Sequence, residues 1–166
     1  MKTFLEHSKE PSIKVTLDLI KIAHAGQKYG PGPYWKHPKA VADFGKKKFG
    51  SKFDTSTYIT ALLHDTIEDT KYDEAELRKL GYSDEILDAV VLVTKVKGLS
   101  YEDNIKRIVS SGNRRAMMVK FADNYMNYTG DKSSWSEEKR AKSQAKYLKS
   151  MEVIGAKLNV AVDIIF

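Results

Sequence analysis

The segment from residue 61 to residue 70 reads Ala-Leu-Leu-His-Asp-Thr-Ile-Glu-Asp-Thr, and it joins an apolar stretch to a cluster of titratable side chains. We expect it to end a helix that Asp54 or Thr55 caps and that runs to Thr70. Residues four apart share a helix face, so His64 would lie above Glu68 and Asp65 above Asp69. Carboxylates this close repel one another, and either a bound cation or exposure to solvent would relieve the repulsion.

The apolar residues at the start of this segment favour the cation. Ala61, Leu62 and Leu63 indicate that this end of the helix is buried, and a buried group of acids needs a counter-charge. The adjacent His64 and Asp65 offer one neutral nitrogen and one hard anion, which together make a half-site for a divalent metal ion. Solvent exposure of the whole cluster remains the alternative.

Further metal ligands would have to come from distant parts of the chain. His37 follows a loop rich in Gly and Pro and precedes Pro38, which can open a helix, so its side chain can be aimed from a fixed junction. Asp123 stands in an otherwise apolar helical stretch and needs a partner, which could also be a buried salt bridge. Asn127 is four residues further on and shares the helix face of Asp123.

Length and composition limit the possible classes of protein. The chain has 166 residues, of which 42% are hydrophobic, as expected of one domain over residues 1–166 with its own core. The absence of cysteine excludes disulfides, thiolate zinc sites and cysteine nucleophiles, so a metal would sit on His, Asp or Glu. No apolar run reaches membrane-spanning length and residues 1–11 lack a signal-peptide core, so we expect a cytoplasmic protein without a membrane partner.

The net charge of +6 would attract anions, from nucleic acid to small polyphosphates. The chain has no arginine-rich stripe and no known nucleic-acid-binding motif, so we expect no nucleic-acid partner.

Periodic apolar residues and capping residues predict an all-α helical bundle. A loop is expected over residues 26–33, and the segment 159–166 fits either a helix or a strand. The predicted helices run from Pro11 and Ile13 to His24, from Pro38 to near Gly50, over 55–70, from Asp73 to Gly81, from Ser83 through Val91, from Ser100 to Gly112, over 114–128 and over 136–153.

Four ordered motifs from about residue 13 to residue 129 together resemble the HD-domain phosphohydrolases. The similarity is to the alarmone hydrolases of that family, namely the Rel/SpoT hydrolase domain and the small alarmone hydrolases such as the metazoan SpoT homologues. The intervening Leu-Val-Thr-Lys at 92–95 is also similar to the family. The motifs are Ala-His-Ala-Gly-Gln at 23–27, Pro-Tyr-Trp-Lys-His-Pro at 33–38, His-Asp-Thr-Ile-Glu-Asp-Thr at 64–70 and Lys-Phe-Ala-Asp at 120–123 with Asn127.

The resemblance implies an HD-domain bundle with a bound divalent metal ion, most often Mn²⁺. It implies a small-molecule nucleotide substrate and removal of the 3′-diphosphate of guanosine tetra- or pentaphosphate as pyrophosphate. It also implies that Glu68 and Asp69 are the catalytic acids and that Asn127 holds the nucleotide sugar. His24 belongs to a motif but is expected to be a core histidine with a local hydrogen bond. The implied metal ligands are His37, His64, Asp65 and Asp123.

The loop after Gln27 departs from the family pattern, which usually has Arg-Lys there with the arginine packed on the guanine base. Here the pair is Lys28-Tyr29, and Tyr29 stands at the arginine position. A tyrosine can stack on a purine, but it has no guanidinium donors and no charge. A second hypothesis is therefore a hydrolase of another nucleotide, such as a dNTP or a phosphorylated dinucleotide cofactor. A binding module that kept the fold and lost catalysis is a third.

The segment after Asp123 also departs from the family. Asn124 replaces an arginine of the usual Arg-Leu-His-Asn-Met-Arg-Thr, and Thr129 falls one place before the family threonine. We nevertheless include Thr129 with Tyr29 and Asn127 among the expected substrate contacts. Lys28 and Lys95 are expected to contact phosphate, although each could also be an ordinary solvated lysine.

Overall fold

A computed structural model describes residues 9–164 of the chain, and the prediction of an all-α helical bundle is confirmed. In that range the sheet structure is one antiparallel hairpin of β1 (Lys28–Tyr29) and β2 (Gly32–Pro33), inside the predicted loop. The helices are α1 (Ile13–Ala23), α2 (Lys36–Phe49), α3 (Thr55–Leu63), α4 (Thr66–Asp69), α5 (Glu74–Lys79), α6 (Asp84–Val93), α7 (Tyr101–Ser110), α8 (Arg114–Thr129) and α9 (Glu137–Leu158).

The predicted caps begin the predicted helices. The side chains of Asp54, Asp73, Ser83 and Ser100 each accept a hydrogen bond from a backbone N–H in the first turn of α3, α5, α6 and α7. This contact satisfies a donor that has no partner inside the helix. At α1 the cap is Ser12, so Pro11 precedes the helix and does not stand in its first turn.

Two predicted boundaries were wrong. The helix expected over 55–70 is interrupted between Leu63 and Thr66, and the helix expected over 136–153 continues to Leu158. Asn159 ends α9 because it adopts the left-handed conformation, with φ 57°, and Val160 N–H then bonds the Gly155 carbonyl at 2.9 Å. Residues 160–164 are neither helix nor strand, and residues 165–166 lie outside the described range.

The core lies between α8, which packs on α2 and α9, and α3, which packs on α1, α2 and α6. Gly45 of α2 is needed for this packing, because a Cβ there would stand 2.4 Å from the ring of Phe53. Between residues 9 and 164, none of the helices combines the length and apolar character needed to cross a bilayer. The largest fully buried side chains include Ile20, Phe53, Leu62, Leu63, Phe121, Met117, Met151 and Ile154.

Candidate metal centre and nucleotide pocket

The end of α3 fixes the ring of His64. The helix stops at Leu63, and the ring Nδ1 of His64 lies 2.7 Å from the carbonyl oxygen of Ala61. A carbonyl can only accept, so Nδ1 carries the hydrogen and the lone pair is on Nε2. Asp65, with φ −102° and ψ 1°, turns the chain before α4 begins. The prediction that one continuous helix carries His64 and Glu68 was therefore wrong, and at the interruption His64 Nε2 lies 2.9 Å from Asp65 Oδ2.

His37 reaches the same point from the first turn of α2. Its side chain is buried, and its Nε2 lies 3.1 Å from Asp123 Oδ1 and 3.9 Å from Asp65 Oδ2. The Tyr34 hydroxyl, in the turn before α2, donates to Asp65 Oδ2 at 2.6 Å. The start of α2 and the α3–α4 junction are thus connected through Asp65.

Asp123 projects from the middle of α8 and is also buried. Its Oδ1 accepts from Asn127 Nδ2 at 2.9 Å and lies 3.4 Å from His64 Nε2. Its Oδ2 accepts from Lys120 at 3.0 Å, so the expected partner of this buried acid includes a lysine one turn earlier. Lys120 and the nearby imidazoles of His37 and His64 outweigh the effect of burial and hold the pKa of Asp123 well below its usual range.

The donor set fits a divalent metal ion. His37, His64 and Asp65 each offer a ligand atom within 4.8 Å of the others, and Asp123 Oδ1 lies beside both histidine nitrogens. Metal–ligand bonds of about 2.0–2.2 Å place neighbouring ligand atoms roughly 3 Å apart, which matches this spacing. The clearest sign of a metal site is His64 Nε2. This atom is buried 2.9 Å from Asp65 Oδ2, yet it makes no directed hydrogen bond to any of residues 9–164.

Protonation of His64 can supply part of the positive charge that a metal ion would bring to the cluster. Burial lowers the pKa of His64, but Asp65 and Asp123 outweigh burial and hold this pKa well above its usual value. A proton and a metal ion cannot share Nε2, so metal binding must displace that proton.

Glu68 and Asp69 lie on α4 at the exposed edge of the cluster. Partial burial raises the pKa of both carboxyls, and the negative charge of Asp65 raises both further. This agrees with the crowding expected from the sequence. The α4 turn is held from the other side by Gln27, whose Nε2 donates to the Asp69 carbonyl at 2.8 Å. His24 is buried, and its Nδ1 lies 2.8 Å from Gln27 Oε1, as expected of a core histidine with a local hydrogen bond.

An open pocket adjoins the four candidate ligands His37, His64, Asp65 and Asp123, which we call the metal-binding cluster. Three of the five expected substrate contacts line this pocket: Tyr29, Lys95 and Asn127. Lys28 is exposed and outside the lining, and Thr129 is exposed with its hydroxyl bonded to the Tyr125 carbonyl of its own helix. The structure therefore does not bring Lys28 and Thr129 to the pocket.

A second group of lining residues was missed by sequence reasoning. Tyr101 of α7 and Lys146 and Tyr147 of α9 line the pocket together with Lys95 of the α6–α7 loop, and we call these four residues the lysine wall. The Lys146 Nζ stands 4.7 Å from the ring centre of Tyr101 and 4.6 Å from that of Tyr147. Partial burial of its ammonium group lowers the pKa of Lys146, and the positive charges of Lys95 and Lys120 lower this pKa further. Cations that repel one another in this way make a place for an anion.

Asn124, which stands where the family has an arginine, points away from the pocket. It is fully buried, accepts a hydrogen bond from the Tyr101 hydroxyl and donates to Ser150 Oγ. It therefore supports Tyr101 of the lysine wall and ties α8 to α9.

Comparison with proteins of known sequence gives relatives whose names concern guanosine polyphosphates. The chain is 34% identical over 145 residues to the GTP pyrophosphokinase of Myxococcus xanthus, a match to 76% of this chain and 19% of that protein. It is 31% identical over 146 residues to the guanosine-3′,5′-bis(diphosphate) 3′-pyrophosphohydrolase of Aquifex aeolicus, a match to 82% of this chain and 20% of that protein. The chain thus spans about a fifth of these relatives.

A solved structure has a similar fold. It is described as a metazoan ortholog of SpoT that hydrolyzes ppGpp, and it superposes with a TM-score of 0.62 over 93% of this chain and 100% of its own, at 22% identity. The family model for the HD domain matches residues 34–154, which hold the four clustered His and Asp residues. HD domains bind divalent metal ions, and the His37, His64 and Asp65 cluster is suited to one. Because this match covers well over half of the chain, the chain belongs to the HD domain family.

Proposed function

We propose that the protein is a Mn²⁺-dependent hydrolase that removes the 3′-diphosphate of guanosine tetra- or pentaphosphate as pyrophosphate, within one HD-type domain over residues 1–166. The observation that carries the proposal is that one pocket is lined by members of the His and Asp cluster, by the carboxyls of Glu68 and Asp69 and by the lysine wall. The printed names of the Aquifex relative and of the solved metazoan structure support the choice of substrate. We expect it to act in the cytoplasm on a small-molecule nucleotide.

The metal would be held by His37, His64, Asp65 and Asp123. When bound, a divalent ion lowers the pKa of water and neutralises charge on phosphoryl oxygens. The buried position of the two histidines and the hydrogen bond from His64 to Ala61 keep their Nε2 atoms aimed at one point before any metal arrives.

Glu68 and Asp69 would act as the general acid and the general base. Hydrolysis at the 3′ position takes a proton from water and returns one to the ribose oxygen that leaves phosphorus. Both carboxyls have a raised pKa, so one of them can keep a proton closer to neutral pH while the other accepts one.

The substrate phosphates would lie on the lysine wall, with Asn127 at the sugar. Lys95 and Lys146 are the candidates for direct phosphate contact, because both line the pocket and neither forms an ion pair with an acid in the described residues. The multiply charged nucleotide would in turn relieve the repulsion between these lysines and Lys120.

Mn²⁺-dependent release of pyrophosphate from guanosine tetraphosphate tests the proposal, with GTP and dGTP run beside it. We expect release from the tetraphosphate and little from the two controls. A protein that binds Mn²⁺ but hydrolyses only another nucleotide would keep the metal chemistry and support the second candidate, a hydrolase of a dNTP or a phosphorylated dinucleotide. The observation that favours this candidate is Tyr29, which gives the pocket no guanidinium at the position of the family arginine. Absence of both metal binding and turnover would overturn the proposal.

A further inference from the structure

Tyr29 does not extend freely into the pocket. It lies in the β1–β2 hairpin, opposite Gly32, and Gly30 makes the turn with a φ of +58° that favours glycine. The hairpin leads directly into Tyr34 and the first turn of α2, so it places Tyr29 next to His37. The side chain of its neighbour Lys28 is exposed and takes no part in this contact.

The ring of Tyr29 lies on the ring of His37. Their centres are 4.5 Å apart, and the ring planes are inclined by 25°, which is a stacked arrangement. An imidazole whose Nε2 is to bind a metal must be held against rotation, and it is usually held by a second group in contact with the ring or with its other nitrogen. Among residues 9–164, the Nδ1 of His37 has no hydrogen-bond partner, which leaves the stacked tyrosine as the group in contact with the ring.

The hydroxyl of Tyr29 reaches a second member of the cluster. It donates to Asn127 Oδ1 at 3.3 Å, and Asn127 in turn donates through Nδ2 to Asp123 Oδ1 at 2.9 Å. Space for the hydroxyl comes from Gly130, where a Cβ would stand 3.1 Å from the Tyr29 oxygen. One side chain therefore contacts a candidate histidine ligand by stacking and a candidate aspartate ligand through one intervening amide.

We infer that Tyr29 is a positioning residue of the metal centre, which it braces by stacking on His37 and by holding the Asn127–Asp123 pair, and that it is not primarily a contact to the nucleotide base. This inference rests on the proposed function, because it assumes that His37 and Asp123 bind the metal. One face of the Tyr29 ring is occupied by His37, so a base cannot insert between them. Tyr34 acts on Asp65 through its hydroxyl, and the two tyrosines together constrain three of the four candidate ligands.

Metal affinity in the absence of any nucleotide separates a brace from a substrate contact. Mn²⁺ binding is measured by isothermal titration calorimetry for the wild-type protein, Tyr29→Leu and Tyr29→Phe, with Tyr58→Phe as the matched control. Tyr58 donates to Asp43 on the surface and lies outside the pocket. Circular dichroism and thermal unfolding show whether each variant is folded.

We expect the Mn²⁺ dissociation constant of Tyr29→Leu to rise roughly 10–100-fold, as when a supporting contact to a metal ligand is lost. Tyr29→Phe keeps the stack and loses one hydrogen bond, so its dissociation constant should rise only about 2–10-fold. Excess Mn²⁺ should restore the kcat of both variants with little change in KM for the nucleotide. The Tyr58→Phe variant should match the wild type.

Unchanged Mn²⁺ affinity in Tyr29→Phe and in a folded Tyr29→Leu, with a raised KM at saturating metal, would overturn the inference and make Tyr29 a substrate contact. If the wild type binds Mn²⁺ but does not hydrolyse guanosine tetraphosphate, only the substrate assignment fails, and the metal affinities still decide the role of Tyr29. A wild type that binds no Mn²⁺ at millimolar concentration would overturn both.

Discussion

The metal-binding cluster and the lysine wall face the same pocket but are built differently. The cluster is largely buried, and three of its side chains are held by residues outside it: His64 by the Ala61 carbonyl, Asp65 by the Tyr34 hydroxyl and Asp123 by Lys120. In the lysine wall, Lys146 is exposed and is held mainly by the faces of two aromatic rings. The cluster is therefore preorganised, whereas the lysine wall can adjust to what it binds.

Because of this difference, substrate specificity and metal chemistry can change independently in the two regions. Rigid ligands with a fixed tautomer suit a metal ion, because the ion demands particular bond lengths. Long lysine side chains between aromatic rings suit phosphate groups, which accept hydrogen bonds from many directions. We expect substitutions in the cluster to affect turnover much more strongly than substitutions in the lysine wall.

The largest effect is expected from Asp65→Asn. The change removes one negative charge next to His64 and His37 while keeping the shape of the side chain, so Mn²⁺ binding and hydrolysis should both fall to background. Calorimetry with Mn²⁺ and pyrophosphate release measure the two effects. Asp43→Asn, on the surface of α2, serves as the control and should keep both. Retained Mn²⁺ affinity in Asp65→Asn would remove Asp65 from the ligand set.

The next largest effect is expected from Glu68→Gln. The amide can neither accept nor donate the transferred proton, so kcat should fall roughly 10²–10⁴-fold while Mn²⁺ affinity is kept. Because the folded-state pKa of Glu68 is raised, its ionisation costs stability, which is lost as the pH rises from the unfolded pKa through the folded one. Without metal, Glu68→Gln should thus unfold at a higher temperature than the wild type at pH 7. An unchanged rate would show that Glu68 takes no part in proton transfer.

A moderate effect is expected from Lys146→Ala in the lysine wall. Losing a charged hydrogen bond to phosphate should raise KM about tenfold and leave kcat and Mn²⁺ affinity close to those of the wild type. The effect should shrink at high salt, since an exposed lysine is screened. Lys157→Ala, in the last turn of the same helix and outside the pocket, is the matched control. If kcat falls and KM does not change, the two parts of the pocket are not separable as described.

The smallest effect on activity is expected from Asp54→Ala, at the opposite end of α3 from His64. Loss of the cap should lower the free energy of unfolding by about 1 kcal/mol at pH 7, without changing Mn²⁺ affinity in the folded protein. Partial burial raises the pKa of Asp54, but its hydrogen bonds with Thr57 and the charge of Arg115 outweigh burial, so the pKa lies below its usual value. The contribution of Asp54 is therefore present above its unfolded pKa and is lost as the pH falls through the folded one.

Thermal unfolding at pH 7 and at pH 3 measures this pH dependence. The difference between the wild type and Asp54→Ala should be larger at pH 7. An equal difference at both pH values would mean that the ionised carboxylate is not what caps the helix.

Most of the helices and several caps could be predicted from helical spacing and capping residues, and the four residues of the cluster from the resemblance of their motifs to a known family. The interruption at Leu63 could not be predicted in this way, since the apolar pattern continues through it. It is associated with one tertiary contact, the hydrogen bond from the Tyr34 hydroxyl to Asp65, and with one local contact between the His64 ring and the Ala61 carbonyl. Helix propensity does not register such contacts.

Apart from Lys95, the residues of the lysine wall were not predicted, because Lys146 is one of many lysines on a polar helix. Its position in the pocket depends on how α9 packs against α7 and α8, over long separations in sequence. The available signal was Tyr147, the sole aromatic residue in the polar first half of α9, between Glu137 and Lys149. An isolated tyrosine on such a face indicates a contact with something other than water.

The burial along α9 has a kinetic consequence. Its buried residues begin at Ser150, whereas the residues from Glu137 to Lys149 are exposed or half-buried. Backbone amides in these outer turns should exchange their hydrogens sooner than those after Ser150, because local opening of a helix is least costly where little apolar surface is buried. Opening there would release Lys146 and Tyr147 without disturbing the α3–α4 junction. We therefore expect this opening to allow product release in each catalytic cycle without loss of the metal ion.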